Sequence, residues 1–207
     1  MYTKFLFSLL ITLILSVQQL FSQSIYTNKP GSSFIAGVGL STSTFELNGR
    51  SLTLGASPTR GTDFAFVVTE FEGKLDGYYP YSFRNIGGSV TFSPLKQWEE
   101  SPLTIQTIIG GTKTTSDVMG VQKGLSGFIG ASAVRELTMG KGSIYPGISY
   151  IYSPFIAGKP ARASAVAFDM GLSAELTTRL IFIVSPSLTF DLTHNSRNFG
   201  IVSGLVF

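Results

Sequence analysis

The sequence predicts an all-β fold, an antiparallel up-and-down transmembrane β-barrel of about ten strands, with eight as the alternative. Three observations carry that prediction. From about residue 32 onward the chain breaks into short segments in which apolar and small polar residues alternate, separated by Gly, Pro, Asn, Asp and Lys. Charged residues make up only 13% of the chain against 43% hydrophobic ones, about half the charged share of about 25% found in soluble domains. The chain also ends on an aromatic, Phe207, preceded at alternate positions by Leu205, Ser203, Ile201 and Phe199.

The first residues read as a secretory signal. Lys4 forms a basic start, Phe5 to Val17 an apolar stretch, and Ser22-Gln23-Ser24 a small polar exit. Residues 1–22 are therefore expected to be removed, with cleavage near 22–24, leaving 25–207 as one domain. The apolar stretch is short for a membrane-spanning helix, which needs about 20 residues, and no later stretch is apolar enough for one. A mature chain that enters a membrane must do so as strands.

Ten segments carry the period of two: 34–45, 51–57, 63–72, 83–92, 103–113, 124–134, 143–153, 163–175, 180–192 and 198–207. Most match the roughly 9–11 residues of a tilted spanning strand. If the short segment 51–57 fails to span, one hairpin is lost and eight strands remain. The alternation is cleanest in 180–192, where Phe182, Val184, Leu188, Phe190 and Leu192 share a face opposite Ser185, Ser187, Thr189 and Asp191; Ile181 and Ile183 break it at the start. In 163–175, Val166, Phe168, Met170 and Leu172 oppose Ala165, Ala167, Asp169 and Glu175. In 143–153, Ile148, Tyr150 and Tyr152 oppose Gly147, Ser149 and Ser153, and in 103–113, Ile105 and Ile109 oppose Thr104 and Gln106. Segments 63–72 and 124–134 are apolar on both faces.

Alternation alone does not say which face is inside. A soluble sandwich hides its bulky face, whereas a membrane barrel turns it outward. Here the polar face is Gly, Ser, Ala and Thr with few charges, unlike a water-exposed surface. Tyr78, Tyr79, Tyr81, Trp98, Tyr150 and Tyr152 fall near segment ends, as in an aromatic girdle. The even strand count puts both termini on one side, the periplasmic one. Asn48-Gly49 reads as a tight hairpin, and 73–82 and 154–162 as outer loops.

The signal, the strands and the terminal Phe199-x-Ile201-x-Ser203-x-Leu205-x-Phe207 resemble the small outer-membrane β-barrel proteins of Gram-negative bacteria. Gln23 after a Ser-ending signal resembles secreted proteins of the Bacteroidota. The resemblance implies residence in the cell outer membrane, contact with its lipid, and reading of the terminal strand (Phe199, Ile201, Leu205, Phe207) by the barrel-assembly machinery. That group contains structural proteins, adhesins, lipid-modifying enzymes and pores, so it implies no single function.

Composition removes several chemistries. The chain has no cysteine and one histidine, which excludes thiol chemistry and disulfides and argues against a transition-metal site. No cofactor is implied. Lys and Arg are scattered, giving no nucleic-acid footprint. Gly110-Gly111-Thr112-Lys113-Thr114 lacks the ending of a phosphate loop. His194 and Ser196 have a spacing similar to the His-x-Ser of lipid A deacylase barrels, with both expected on the lipid-facing side in line with Leu192; no acid follows Asp191 to orient the histidine. Asp169, Glu175 and Asp191 are expected to face the lumen, either as a cation-selective constriction or as an ion-paired plug with Arg84, Lys113 or Arg135. The leading functional expectation is a non-enzymatic structural or surface-interaction barrel, or an accessory subunit with an envelope protein partner. The alternatives are a narrow pore for small or hydrophobic solutes and a lipid-modifying hydrolase.

Overall fold

The structure is a computed structural model that describes residues 33–43, 48–59, 61–75, 79–97, 102–116, 123–193 and 195–207. The signal segment and its cleavage site lie outside the described residues. Eleven strand segments follow one another: β1 (Ser33–Ser43), β2 (Asn48–Thr59), β3 (Thr62–Leu75), β4 (Tyr79–Leu95), β5 (Thr104–Thr115), β6 (Gly124–Val134), β7 (Leu137–Met139), β8 (Gly142–Ile156), β9 (Lys159–Glu175), β10 (Ile181–Asp191) and β11 (Ser196–Val206). β6 and β7 are one strand interrupted at Arg135–Glu136, since both pair with β8 in the same register. The sheet therefore has ten staves. Each pairs antiparallel with its chain neighbour, β6 pairs with β8, and β1 pairs with β11, so the sheet closes on itself. The closing seam runs from Ile35↔Val206 to Ser43↔Asn198, and Phe34 and Phe207 exchange both backbone hydrogen bonds at its end. Closure leaves no strand edge, which is what a sheet surrounded by hydrocarbon requires.

β2 is 12 residues long and pairs fully on both sides, so the ten-strand reading holds and the eight-strand alternative does not. Asn48-Gly49 is not the hairpin turn. Both residues lie in β2, opposite Thr42 and Ser41. Gly49 is required for space, because a Cβ there would run into the Phe71 ring and the Ser41 hydroxyl. The expected loops 73–82 and 154–162 are largely strand. Ile156 faces Lys159 across a two-residue turn, Ala157-Gly158, with φ of 50° and 76°, the left-handed pair of a type I′ hairpin.

Side chains are distributed inside out. Exposed bulky residues occupy the outer face of every long strand, among them Leu40, Leu52, Phe66, Ile109, Leu125, Phe168, Leu188 and Phe199. Thr53, Thr69, Gln106, Thr112, Ser149, Ser185 and Thr189 are buried on the inner face. An exposed hydrocarbon belt of this extent is stable only against acyl chains. The two ambiguous segments resolve the same way. Phe64 and Phe66 point out while Val67 and Phe71 point in; Leu125 and Ile129 point out while Phe128 and Val134 point in. Tyr150 is exposed but stands mid-strand in β8, not at a strand end. Tyr78 and Trp98, and the side chains of Tyr79 and Tyr81, lie outside the described residues.

Candidate functional site

The lumen is the enclosed polar region of the fold, and its two levels differ in chemistry. At the end where β1 begins and β11 finishes, expected from the even strand count to be the periplasmic one, Ile35, Val134, Tyr145, Ile181, Ile183 and Val206 form one buried apolar cluster. These residues come from β1, β6, β8, β10 and β11, half the circumference, so the cluster spans the bore as a floor. Ile181 and Ile183 break the alternation of β10 because they belong to this floor.

A polar latch lies beside it. After β4 the chain turns back so that Gln97 is buried. Its Nε2 donates to the Glu136 carbonyl at 2.8 Å, and its Oε1 accepts from the Glu136 N–H at 2.5 Å. The Gln97 N–H donates to Thr104 Oγ1 at 3.1 Å. The interruption at Arg135–Glu136 is what frees the Glu136 peptide to meet a side chain instead of a strand. Glu136 Oε1 in turn accepts from the Ser143 and Tyr145 hydroxyls at 2.9 and 3.2 Å.

Above the floor the bore is lined by hydroxyls. Ser41, Ser51, Thr53, Thr69, Ser89, Thr112, Ser185 and Thr189 each hold a buried oxygen with no protein partner. Buried polar atoms are normally satisfied, so this band is a place for ordered water. Phe71 and Phe83 stack within it, ring centroids 5.1 Å apart.

Asp169 sits in this band, buried, with Oδ2 accepting from Ser149 at 3.5 Å and Oδ1 without a protein partner. Asp191 is also inside, where its Oδ1 accepts from the Thr193 N–H at 2.8 Å. Glu175 has the inward parity but stands exposed at the periplasmic end of β9. Asp169 faces none of the proposed cations. Arg84 is exposed and hydrogen-bonds Glu70 through both Nε and Nη2; Lys113 and Arg135 are exposed too. Outward parity, set by the alternation, holds Arg84 and Lys113 away from the bore and from Asp169.

The histidine of the expected catalytic pair, His194, lies outside the described residues. Ser196 is buried on the inner face, directly opposite Asp191 in the β10–β11 pairing. The expected lipid-facing placement assumed that β10 runs on past Leu192. Instead β10 ends at Asp191 and β11 begins opposite it at Ser196, and opposed residues of a pair share a face, so Ser196 takes the side of Asp191. Phe199, Ile201, Leu205 and Phe207 are all exposed on the outer face of the closing seam.

Sequence reasoning missed the floor and the latch. The floor had a local signal: two strands lose their alternation at the same end of the barrel, β10 at Ile181 and Ile183 and β6 at Val134. The latch had none, since Gln97 and Glu136 are 39 residues apart.

A closed ten-stranded antiparallel barrel with an apolar outer belt and a polar interior defines a β-barrel of the cell outer membrane. A solved barrel shares this fold, and others match less closely. The translocator domain of the autotransporter NalP from Neisseria meningitidis matches with a TM-score of 0.54 at 11% identity, over 93% of this chain and 94% of that one. The β domain of the Bordetella autotransporter Brka matches at 0.49 and 9% identity over 86% and 98% of the two chains. Ail, the attachment invasion locus protein of Yersinia pestis, matches at 0.35 and 10% identity over 86% and 100%. At 11% identity the likeness to the NalP domain is one of fold. No family model matches the sequence. No curated protein matches it either.

Proposed function

We propose that the protein is a non-conducting, non-enzymatic outer-membrane barrel that serves as a structural or surface-interaction element, or as an accessory subunit bound to an envelope protein. The observation that supports this reading is the floor: six buried side chains, five of them aliphatic or aromatic hydrocarbon throughout, stand across the bore where ions would have to pass. Hydrophobic constrictions block ions by excluding water, and side chains just fill an eight-stranded barrel, to which ten strands add only a little room. The exposed Phe199, Ile201, Leu205 and Phe207 on the seam are the surface offered to the assembly machinery.

The test is a planar-bilayer recording on the full chain, folded and checked by heat-modifiable gel mobility. The expected trace is a flat baseline at either polarity. Stable current steps would replace this reading with the narrow pore. The hydrolase reading has its own test. Ser196→Ala is expected to leave lipid A acylation unchanged, and a loss of deacylation would reinstate it.

A further inference from the structure

The strand registers align five outward-facing residues in one row across the barrel wall. Phe66 of β3 lies opposite Gly88 of β4, Gly88 opposite Gly111 of β5, Gly111 opposite Gly127 of β6, and Gly127 opposite Phe155 of β8. On a membrane barrel this row should be as bulky as its neighbours. The row on its periplasmic side is bulky, with Val90, Ile109 and Ile129 side by side. The row on its outer side holds Ile86, Lys113 and Leu125. The glycine row is therefore a recess between two ridges, a cavity of about 400 Å³ in the outer surface.

The two ends of the recess differ. At Gly127 the Phe155 ring covers the backbone, since a Cβ there would meet ring carbons at 2.5 Å. At Gly88 an added Cβ would meet only the Ala65 carbonyl, at 3.4 Å, and at Gly111 only the Ser126 carbonyl, at 3.0 Å. The open floor is thus bare backbone on two strands, walled by Phe66 on one side and Phe155 on the other. Two strand spacings amount to about 10 Å, and an α-helix with its side chains is about 10–12 Å across before any wall is counted. A second barrel is convex and cannot reach the floor. A single hydrocarbon chain can.

The outer end of the recess is cationic. Lys113 lines it, is exposed, and meets no acid among the described residues. One row further out stand Glu70, Arg84 and Thr115, the first two ion-paired with each other, where apolar residues give way to polar ones. A lysine at this depth rests its stem on hydrocarbon and its ammonium among headgroups.

We propose that this recess is a binding site for one phosphate-bearing lipid of the outer leaflet, with an acyl chain on the Gly88–Gly111 floor between Phe66 and Phe155 and the phosphate paired with Lys113. The shape selects a chain over a protein segment, and the unpaired cation selects an anionic headgroup over a zwitterionic one.

Native mass spectrometry of the full chain released from detergent tests it, with dioleoylphosphatidylglycerol and dioleoylphosphatidylcholine as probes. The wild type is expected to retain one phosphatidylglycerol in preference to phosphatidylcholine. Lys113→Gln is expected to lower phosphatidylglycerol retention about tenfold, the loss of one charge-assisted contact, and to lower phosphatidylcholine retention less, because choline already neutralises its phosphate. Gly88→Leu fills the floor and is expected to lower both; Gly88→Ala, whose Cβ has room, is expected to lower them less and serves if the leucine variant fails the heat-modifiability check. Equal retention of both lipids by the wild type, no change in Lys113→Gln, or a dimer that Gly88→Leu breaks apart would each overturn the proposal.

Discussion

The floor and the hydroxyl band occupy the same bore, on the same inward-facing positions, yet they obey different rules. Ile183 and Ser185 show the contrast most closely. They are two residues apart on β10, both point inward and both are almost fully buried. Ile183 is packed in an apolar cluster that joins opposite walls. Ser185 has an oxygen without a protein partner and stands opposite Val202, where the apolar positions of β10 give way to hydroxyl-bearing ones. The floor is held by contact between side chains of facing walls. The band is held by its own backbone ladder, and its hydroxyl oxygens have no protein partner.

Substitutions at these two positions should separate the levels. The largest effect is expected from Ile183→Asp, which buries a charge with no partner. A loss of about 3–5 kcal/mol in urea unfolding from vesicles is expected, against a smaller loss for Ser185→Asp, which replaces an oxygen that already lacks a protein partner. Equal losses would mean that the floor is not dry. On the outside, Leu188→Arg should cost about 2–4 kcal/mol if it lies near the bilayer midplane, whereas Thr189→Arg, one residue on and facing in, would fail by crowding rather than by depth. Gln97→Ala removes both side-chain hydrogen bonds to Glu136 and should cost about 1–2 kcal/mol, with faster amide exchange at Glu136 as its signature. The smallest effect is expected for Ser185→Ala. Its hydroxyl makes no protein hydrogen bond, so the unfolding free energy should change by less than about 0.5 kcal/mol.

The fold was legible in the sequence because a barrel writes its pattern locally. Each strand shows its own two faces, and Phe182, Leu188 and Phe199 all fall on the outer one as the alternation requires. The choice between lipid-facing and core-facing bulk rested on the poverty of charge on the opposite face, and the exposed belt bears that choice out. What the sequence hid is pairing across distance. Gly49 looks like half of a turn until its position beside the Phe71 ring shows why a side chain is forbidden there. Ser196 looked lipid-facing because parity was carried through a reversal of the chain. The lumen acids looked like a set, yet Glu175 runs out past the end of the bore while Asp169 stays within it. The glycine row is invisible without registers, since Gly88, Gly111 and Gly127 belong to three strands and each is ordinary in its own.

The central claim is the inversion itself, and the absence of cysteine from the chain makes it directly measurable. Single cysteines at Leu188 and Thr189, each carrying a nitroxide, report which neighbour faces hydrocarbon when the protein is folded in phosphatidylcholine vesicles. High oxygen accessibility at 188 with low accessibility at 189 is the predicted result. The reverse order, or the same low value at both, would contradict it.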